Sequence, residues 1–420
     1  MVTGEDIAKV ELKTATDDLK TAVDAFLAGR EKEAIDASQK RIIDAAEKIL
    51  LTVKPPGHWQ WMERVRQMGV IGVTHLFQEW GAFDHIPAEG TISFGELGQK
   101  LDAETSLVGS SGGTALHTHP TLVSSFVVTH MAWCTVCGMY YLLFDPKKID
   151  PMAPHGIKNN WDNCLVPYFH MADFFAKYGR KEPQALNHIP ATFARGHPDK
   201  PFFEVLARDS AYFQRFSDGM ATIEGMSPAV TAGMHDFSWL VQKAEQEPDR
   251  TVFVDVGGGL GQCILTIHQE FPGIPLDRCV LQERPEIIQV VEAAADPQMV
   301  RVQKVAMDFH VEQPNKGAMV YFIRRCLHNY SDTIAINILR VLAEAMADDS
   351  KILIQEDIKG APPDTETAVL DFLMLTYGGK ERTRQCWEDI VERAGLSIVA
   401  VSGGDGPWHG LFVIECVKKT

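Results

Sequence analysis

Hydrophobic positions follow two rhythms along the chain. From residue 251 onward, short apolar runs closed by turns or acidic residues alternate with stretches at helical spacing. Runs of the first kind read as strands buried on both faces of a parallel sheet. They predict strands near 251–256, 278–282, 318–323, 351–356, 397–401 and 410–416, with a further short strand just before Met307. Helices are expected between them, notably 333–347 behind Ser331-Asp332 and 384–394 ending at Ala394-Gly395. Regular alternation of strand and helix specifies a single α/β domain.

Before residue 251 the period is helical. Residues 5–53 place Leu19, Val23, Phe26 and Leu27 on one stripe and stop at Pro55-Pro56-Gly57, which predicts one or two amphipathic helices. Residues 58–108 read as a small helical module: a helix through Val70–Phe77, a turn at Ile86–Gly90, and a second helix opened by Ser93 and Glu96 at capping-box spacing. A helix-turn-helix is compatible with this pattern, but few Lys or Arg residues are present to meet phosphates, so dimerisation is the expected role. Gly109-Ser110-Ser111-Gly112-Gly113 is a linker by composition. Apolar helices are expected at 121–144 and 165–178, and the helical region 201–243 is rich in Phe and Met (Phe202, Phe203, Phe213, Phe216, Met220, Met226, Met234). Such stripes build core, or line a pocket for a flat aromatic molecule where they cover the ligand edge of a sheet. The expected division is an N-terminal helical domain over 1–150 and a catalytic domain over 151–420.

Bulk properties narrow the classes. At 420 residues the chain can bury two cores, and 45% hydrophobic with 23% charged residues describes an ordinary globular protein. No apolar run reaches the ~18–20 residues that span a bilayer. The acidic, polar start Met1-Val2-Thr3-Gly4-Glu5-Asp6 is unlike a secretory signal, so a cytoplasmic protein with no membrane partner is expected. A formal charge of −16 opposes nucleic-acid binding, which needs a basic face. Cys134 and Cys137 form a C-x-x-C with no second pair at zinc spacing, and read as buried thiols. His117 and His119 lack a carboxylate or cysteine at matching spacing, so no metal is expected there.

The densest chemical signal lies where the second rhythm begins. The β-favouring run Thr251–Val256 contains Asp255 and opens into Gly257-Gly258-Gly259-Leu260-Gly261, after which Cys263–Ile267 takes up a helical period. Glycines let backbone approach a ligand where a Cβ would clash, and the next helix offers free N–H groups at its N-terminus. Such a crossover binds nucleotides at the carboxyl ends of the strands in a doubly wound sheet. Its Gly257-x-Gly259-x-Gly261 spacing is not that of the dinucleotide enzymes. Glu283 ends the second strand about twenty residues beyond the turn, where a carboxylate can accept both ribose hydroxyls. Asp308 and Phe309 follow the third strand, where an acid and an aromatic can clasp an adenine. Together they outline an adenosine site. Beyond the fourth strand, His328 falls at the same sheet edge, and Glu356 and Glu381 each stand where they could reach it.

In this order, the motifs resemble those of the plant caffeic-acid-type O-methyltransferases and their fungal secondary-metabolite relatives. The matching residues are Asp255-Val256-Gly257-Gly258-Gly259-Leu260-Gly261, Gln282-Glu283-Arg284-Pro285, Met307-Asp308-Phe309, Phe322-Ile323-Arg324-Arg325-Cys326-Leu327-His328, Glu356 and Gly379-Lys380-Glu381-Arg382-Thr383. The resemblance is strong over 240–415 and weaker over 60–108. It implies a Rossmann-like class I methyltransferase sheet behind a mostly helical, winged-helix-like dimerisation domain, a homodimer, and a small hydroxylated substrate. It implies S-adenosyl-L-methionine in the glycine site formed by Asp255, Gly257 and Gly259, with Glu283 on the ribose, Asp308 and Phe309 near the adenine, and Arg324 near the cofactor. It also implies His328 as general base, flanked by Glu356 and Glu381. Two departures stand out. Glu283 replaces the family's usual Asp. After Leu107-Val108, where the family has a recognition-like helix and a two-stranded wing, only a Gly/Ser stretch precedes His117-Thr118-His119-Pro120, so the winged helix is abbreviated.

The residue types suit methyl transfer. A sulfonium methyl is already activated, so the protein mainly has to place an oxygen in line with it. A phenolic hydroxyl titrates near ~10 and histidine near ~6.5, so deprotonation must be coupled to attack. A carboxylate on the imidazole fixes its tautomer and stabilises the imidazolium, and no metal is required. Some fungal members of the family keep the fold and cofactor but catalyse dehydration or pericyclic reactions. His328, Glu356 and Glu381 favour methyl transfer, whereas the adjacent Arg324 and Arg325 could polarise a carbonyl in the other chemistry. A non-enzymatic regulator is opposed by the acidic charge and the intact catalytic set.

Overall fold

The computed structural model describes residues 4–28, 58–85, 92–108, 161–225, 234–360, 365–403 and 411–419, with scattered positions between 38 and 53 and at 159 and 363. They fall into two compact units, residues 1–62 and 63–420. The first contains the helix Gly4–Ala28. Ala15 and Ala22 are buried, and Leu19, Val23 and Phe26 are half-buried between exposed polar positions. Leu27, placed on that stripe by its spacing, is instead 76% exposed. It lies one residue beyond Phe26, about 100° further round the helix.

The second unit is organised by an eight-stranded sheet. Its strands are β1 (Phe253–Val256), β2 (Cys279–Glu283), β3 (Gln303–Ala306), β4 (Val320–Arg324), β5 (Lys351–Lys359), β6 (Arg382–Thr383), β7 (Leu396–Gly403) and β8 (Leu411–Lys418). The spatial order is β3-β2-β1-β4-β5-β8-β7, with the two-residue β6 paired to β5. Strands β1 to β6 pair in parallel, while β8 runs antiparallel to both β5 and β7. Alternate residues feed two cores. Val254, Val256, Tyr321, Ile323, Ile352 and Ile354 pack with the helices Asp332–Ala345 and Arg384–Arg393. Phe253, Leu281, Phe322 and Leu353 pack on the other face with Ser238–Gln246, Gln262–Glu270 and Pro285–Ala294. Burial on both faces is why these strands read as continuous apolar runs.

The predicted α/β domain is therefore present, with one extension and one addition. The reading of 351–356 stopped at Glu356, but β5 continues to Lys359. The register Asp357↔Leu411 with β8 and Ile358↔Arg382 with β6 carries the ladder through charged residues. Glu356 is thus inside a strand, and β6 is too short to leave a periodic signal.

Helical segments of the same unit pack beside β5 and the turn that follows β4. The helix Val166–Tyr178 follows a π-turn at Trp161–Leu165. Tyr168 on it stacks on Phe372 of the helix Thr365–Thr376, with ring centroids 4.7 Å apart. The predicted capping box forms: Ser93 Oγ accepts from Glu96 N, and Ser93 N donates to Glu96 Oε2. The single helical region expected over 201–243 is resolved into Phe202–Ala207, Ser210–Gly225 and Ser238–Gln246. Asp209 precedes the second of these and caps it, its Oδ1 accepting from the amides of Ala211 and Tyr212. The expectations for the 55–57 and 86–90 turns, the 109–113 linker, the abbreviated wing, His117 and His119, the 121–144 helix and the Cys134/Cys137 pair lie outside the described residues. Among the described residues no helix is long and apolar enough to cross a membrane.

Candidate active site

The sheet reverses its winding between β1 and β4, so a crevice opens at the carboxyl ends of those strands. Gly257 follows β1 on one side of it. Its φ of +68° suits glycine, and Phe309 and Cys326 lie at van der Waals distance from the place of a Cβ, at 3.4 and 3.5 Å. Arg324 ends β4 on the other side, and its Nη1 donates across to Cys263 Sγ at 3.2 Å. Cys263 lies in the first turn of the helix Gln262–Glu270.

His328 sits in a short 3-10 turn, Leu327–Asn329, just beyond β4. Its Nδ1 lies 2.8 Å from Glu381 Oε1 and 3.6 Å from Glu356 Oε2. All three are buried: His328 is 8% exposed, Glu356 0% and Glu381 1%. Glu356 is held from the opposite side, its Oε1 accepting from the backbone N–H groups of Cys326, Leu327 and His328 at 2.9, 2.8 and 3.4 Å. Burial alone would lower the imidazole's affinity for a proton. The charges of Glu356 and Glu381 outweigh burial and hold its pKa at about 9. Burial raises the Glu381 carboxyl above its ordinary range, although His328 pulls it down.

The remaining predicted residues line the same edge. Glu283 closes β2, its Oε2 accepting from Arg284 N at 2.6 Å. Asp308 caps the turn after β3 by accepting from His310 N at 2.9 Å. Phe309 belongs to a trio with His310 and Tyr330, with centroid separations of 4.7 to 6.1 Å, beside Gly257. Asp255 is 1% exposed, its carboxyl group folded under Gly258. Gly259, also at positive φ, continues the loop. Two clusters therefore share one edge: an acid–histidine group after β4 and a glycine–aromatic group after β1.

Residues 168–397 match the family described as O-methyltransferase domain. The chain belongs to this family. It is 32% identical to methyltransferase cfoD of Aspergillus candidus, over 98% of this chain and 100% of that protein. It is 33% identical to methyltransferase pvhD of Talaromyces variabilis, over 81% of this chain and 91% of the relative. Among solved structures it shares its fold with OxaC in complex with SAH and oxaline, at a TM-score of 0.58 and 18% identity, covering 98% and 100% of the two chains. The LepI complex with SAM is similar at a TM-score of 0.58 and 18% identity, covering 97% and 99%.

Other residues hold the histidine cluster, and none of them was given a role by the sequence. Arg382, fully buried, donates to Asp332 Oδ1 at 2.8 Å and to the carbonyls of Leu327 and Tyr330 at 2.9 and 2.6 Å. It therefore ties β6 to the turn that carries His328. Lys380 bridges Glu182 and Asp332, at 3.1 and 2.8 Å. Behind Glu381, Asp371 Oδ1 accepts the Glu381 amide at 2.9 Å while Oδ2 pairs with Lys359 at 2.6 Å. Arg382 and Lys380 flank Glu381 within the matched motif, which was the signal available for them.

Proposed function

We propose that this protein is an S-adenosylmethionine-dependent O-methyltransferase acting on a hydroxyl of a small aromatic or enolic secondary metabolite, with His328 as general base. The observation that carries the reading is the buried contact of His328 Nδ1 with Glu381 Oε1 at 2.8 Å, with Glu356 on the same nitrogen's side at 3.6 Å. Such a pairing fixes the imidazole with Nδ1–H donated to a carboxylate, leaving Nε2 to take a proton.

The crevice suits the cofactor. A glycine loop at positive φ after β1, a carboxylate at the end of β2 and an aromatic beside the loop are the backbone, acceptor and stacking groups that an adenosyl moiety needs. In this reading Gly257 and Gly259 present backbone, with Asp255 beneath the loop. Glu283 holds the ribose, Asp308 and Phe309 hold the adenine, and Arg324 stands near the amino-acid end. The SAH and SAM named with OxaC and LepI support the same choice. S-adenosylmethionine supplies a methyl group already activated on a cationic sulfur.

The protein's own task is to orient the acceptor and manage its proton. As the acceptor oxygen takes the methyl carbon, its proton passes to His328 Nε2. The imidazolium so formed lies between two buried carboxylates, which stabilise it more strongly than water would. An imidazole held at about 9 is a stronger base than a free one, so proton transfer from a phenol near ~10 is close to balanced.

The direct test is mass spectrometry of the purified protein with S-adenosylmethionine and a panel of phenolic and enolic acceptors. The expected result is S-adenosylhomocysteine formed one for one with a product heavier by one methylene. A product isomeric with or dehydrated from its substrate, with no S-adenosylhomocysteine, would instead establish the dehydrative or pericyclic reading.

A further inference from the structure

Arg325 has a φ of +44°, in the left-handed region that costs a side-chain-bearing residue ~1–2 kcal/mol. The backbone has a clear use for that conformation. It turns the successive N–H groups of Cys326, Leu327 and His328 onto Glu356 Oε1, a nest for one carboxylate oxygen. Glycine would do this at no steric cost. An arginine therefore stands where the fold calls for none, and its side chain needs its own explanation.

The fold makes poor use of that side chain. Arg325 Nε is buried with no hydrogen-bond partner, and Nη2 stops 3.7 Å from Asp357 Oδ2, beyond hydrogen-bonding range. Asp357 Oδ2 is itself buried and without a hydrogen bond. The Arg325 side chain is 27% exposed, at the crevice end of β4 and three residues before His328. An unfinished ion pair thus flanks the base, with one member following β4 and the other on β5.

We propose that Arg325 is a specificity-determining residue that recognises a second, anionic oxygen conjugated to the acceptor oxygen, with Asp357 as its resting counter-ion. This rests on the O-methyltransferase reading and narrows its substrate class to acidic enols of the 1,3-dicarbonyl type. In the enolate of such a compound the charge is shared over two oxygens. One oxygen is presented for methylation beside His328, and the guanidinium donates to the other. The enol proton goes to His328 or is lost to water before binding. The oxygen gains the methyl carbon, and the bonding pair stays on the cofactor sulfur, giving a methyl enol ether and S-adenosylhomocysteine.

The test compares a 4-hydroxy-2-pyrone with a phenol that lacks a neighbouring carbonyl. It uses the wild type, Arg325→Gly, Arg325→Asn, Arg325→Lys and Asp357→Asn. Glycine and asparagine both accept positive φ, so the backbone nest survives the loss of the guanidinium. The wild type should prefer the pyrone. In the Gly and Asn variants the pyrone-to-phenol ratio of kcat/KM should fall by about tenfold to hundredfold, mostly through KM, the scale of one charged hydrogen bond. Lysine should restore part of the ratio, and Asp357→Asn should lower KM for the pyrone. Equal losses on both acceptors, or no loss, would overturn the proposal. Calorimetric binding of the pyrone in the presence of S-adenosylhomocysteine reads the same site without turnover. If the wild type methylates neither acceptor yet binds the pyrone through Arg325, the functional reading fails while the oxyanion site stands. Binding that is indifferent to Arg325 overturns the site itself.

Discussion

A Cβ built on Gly379 would stand 2.0 Å from the carbonyl oxygen of His328 and 2.4 Å from the carbonyl carbon of Asn329. The bare α-carbon lets the 378–382 segment lie directly on the turn that carries His328. There Lys380 N donates to His328 O at 2.9 Å. Gly379→Ala must push the two backbones apart and with them Glu381 from His328. The expected outcome is a loss of about 3 kcal/mol of stability, with turnover reduced at least as strongly as thermal midpoint. Wild-type activity in this variant would show that the contact is not needed.

His328→Ala should lower methyl transfer by about 10²–10⁴-fold, the usual contribution of a positioned base. S-adenosylhomocysteine affinity, measured by calorimetry, should be nearly unchanged, because the glycine cluster after β1 is separate from His328. Full turnover in the variant would remove His328 from the mechanism.

The pH profile should depend on the acceptor. With a phenol the imidazole must be neutral, and Glu356 and Glu381, overcoming burial, hold it at about 9. Turnover at low substrate should then rise about tenfold per pH unit below about 9 and level off above it. With an acidic enol the proton is already gone at neutral pH, so the same limb should be flat. Stability has the opposite sign. A pKa raised from 6.5 to about 9 stabilises the fold fully below 6.5, and that contribution is lost as pH rises through 9. The thermal midpoint of the wild type should therefore fall relative to His328→Gln across that window.

Arg382→Met should destabilise the protein by about 3–5 kcal/mol, since Asp332 and two turn carbonyls lose a buried donor. Arg382→Lys should rescue little, because one ammonium cannot span the three acceptors that the guanidinium fork reaches. Thermal unfolding of both variants measures this. A lysine variant as stable as wild type would refute the fork argument.

Glu283→Gln should raise KM for S-adenosylmethionine by about tenfold with kcat largely retained, the signature of a charge-assisted bond kept equally in ground and transition states. An unchanged KM would take Glu283 out of the cofactor site.

Much of the architecture could be read from the linear chain because its causes are local or periodic. Strands buried on both faces must be apolar throughout, so β1, β2, β4 and β5 announce themselves, and Ser93 with Glu96 names a helix start. Glycine density after β1 and the order of Glu283, Asp308, His328, Glu356 and Glu381 located the candidate site, since sheet topology brings strand ends to one edge. The roles of Asp371, Lys359, Asp332 and Arg382 were not legible, although Asp332 stood at a helix start and Arg382 beside Glu381, for the opposite reason. Each is a charge that in a sequence looks like solvated surface, and only the approach of segments about 10 to 50 residues apart pairs them and buries Asp371 and Arg382. The same holds for Arg325. Its place after β4 was plain in the sequence, but its left-handed backbone and unfinished pairing with Asp357 exist only once β4, β5 and the His328 turn are packed together. Local pattern determined which residues reach the crevice. Long-range packing decided which charges are desolvated there, and desolvation is what makes a charge chemically strong.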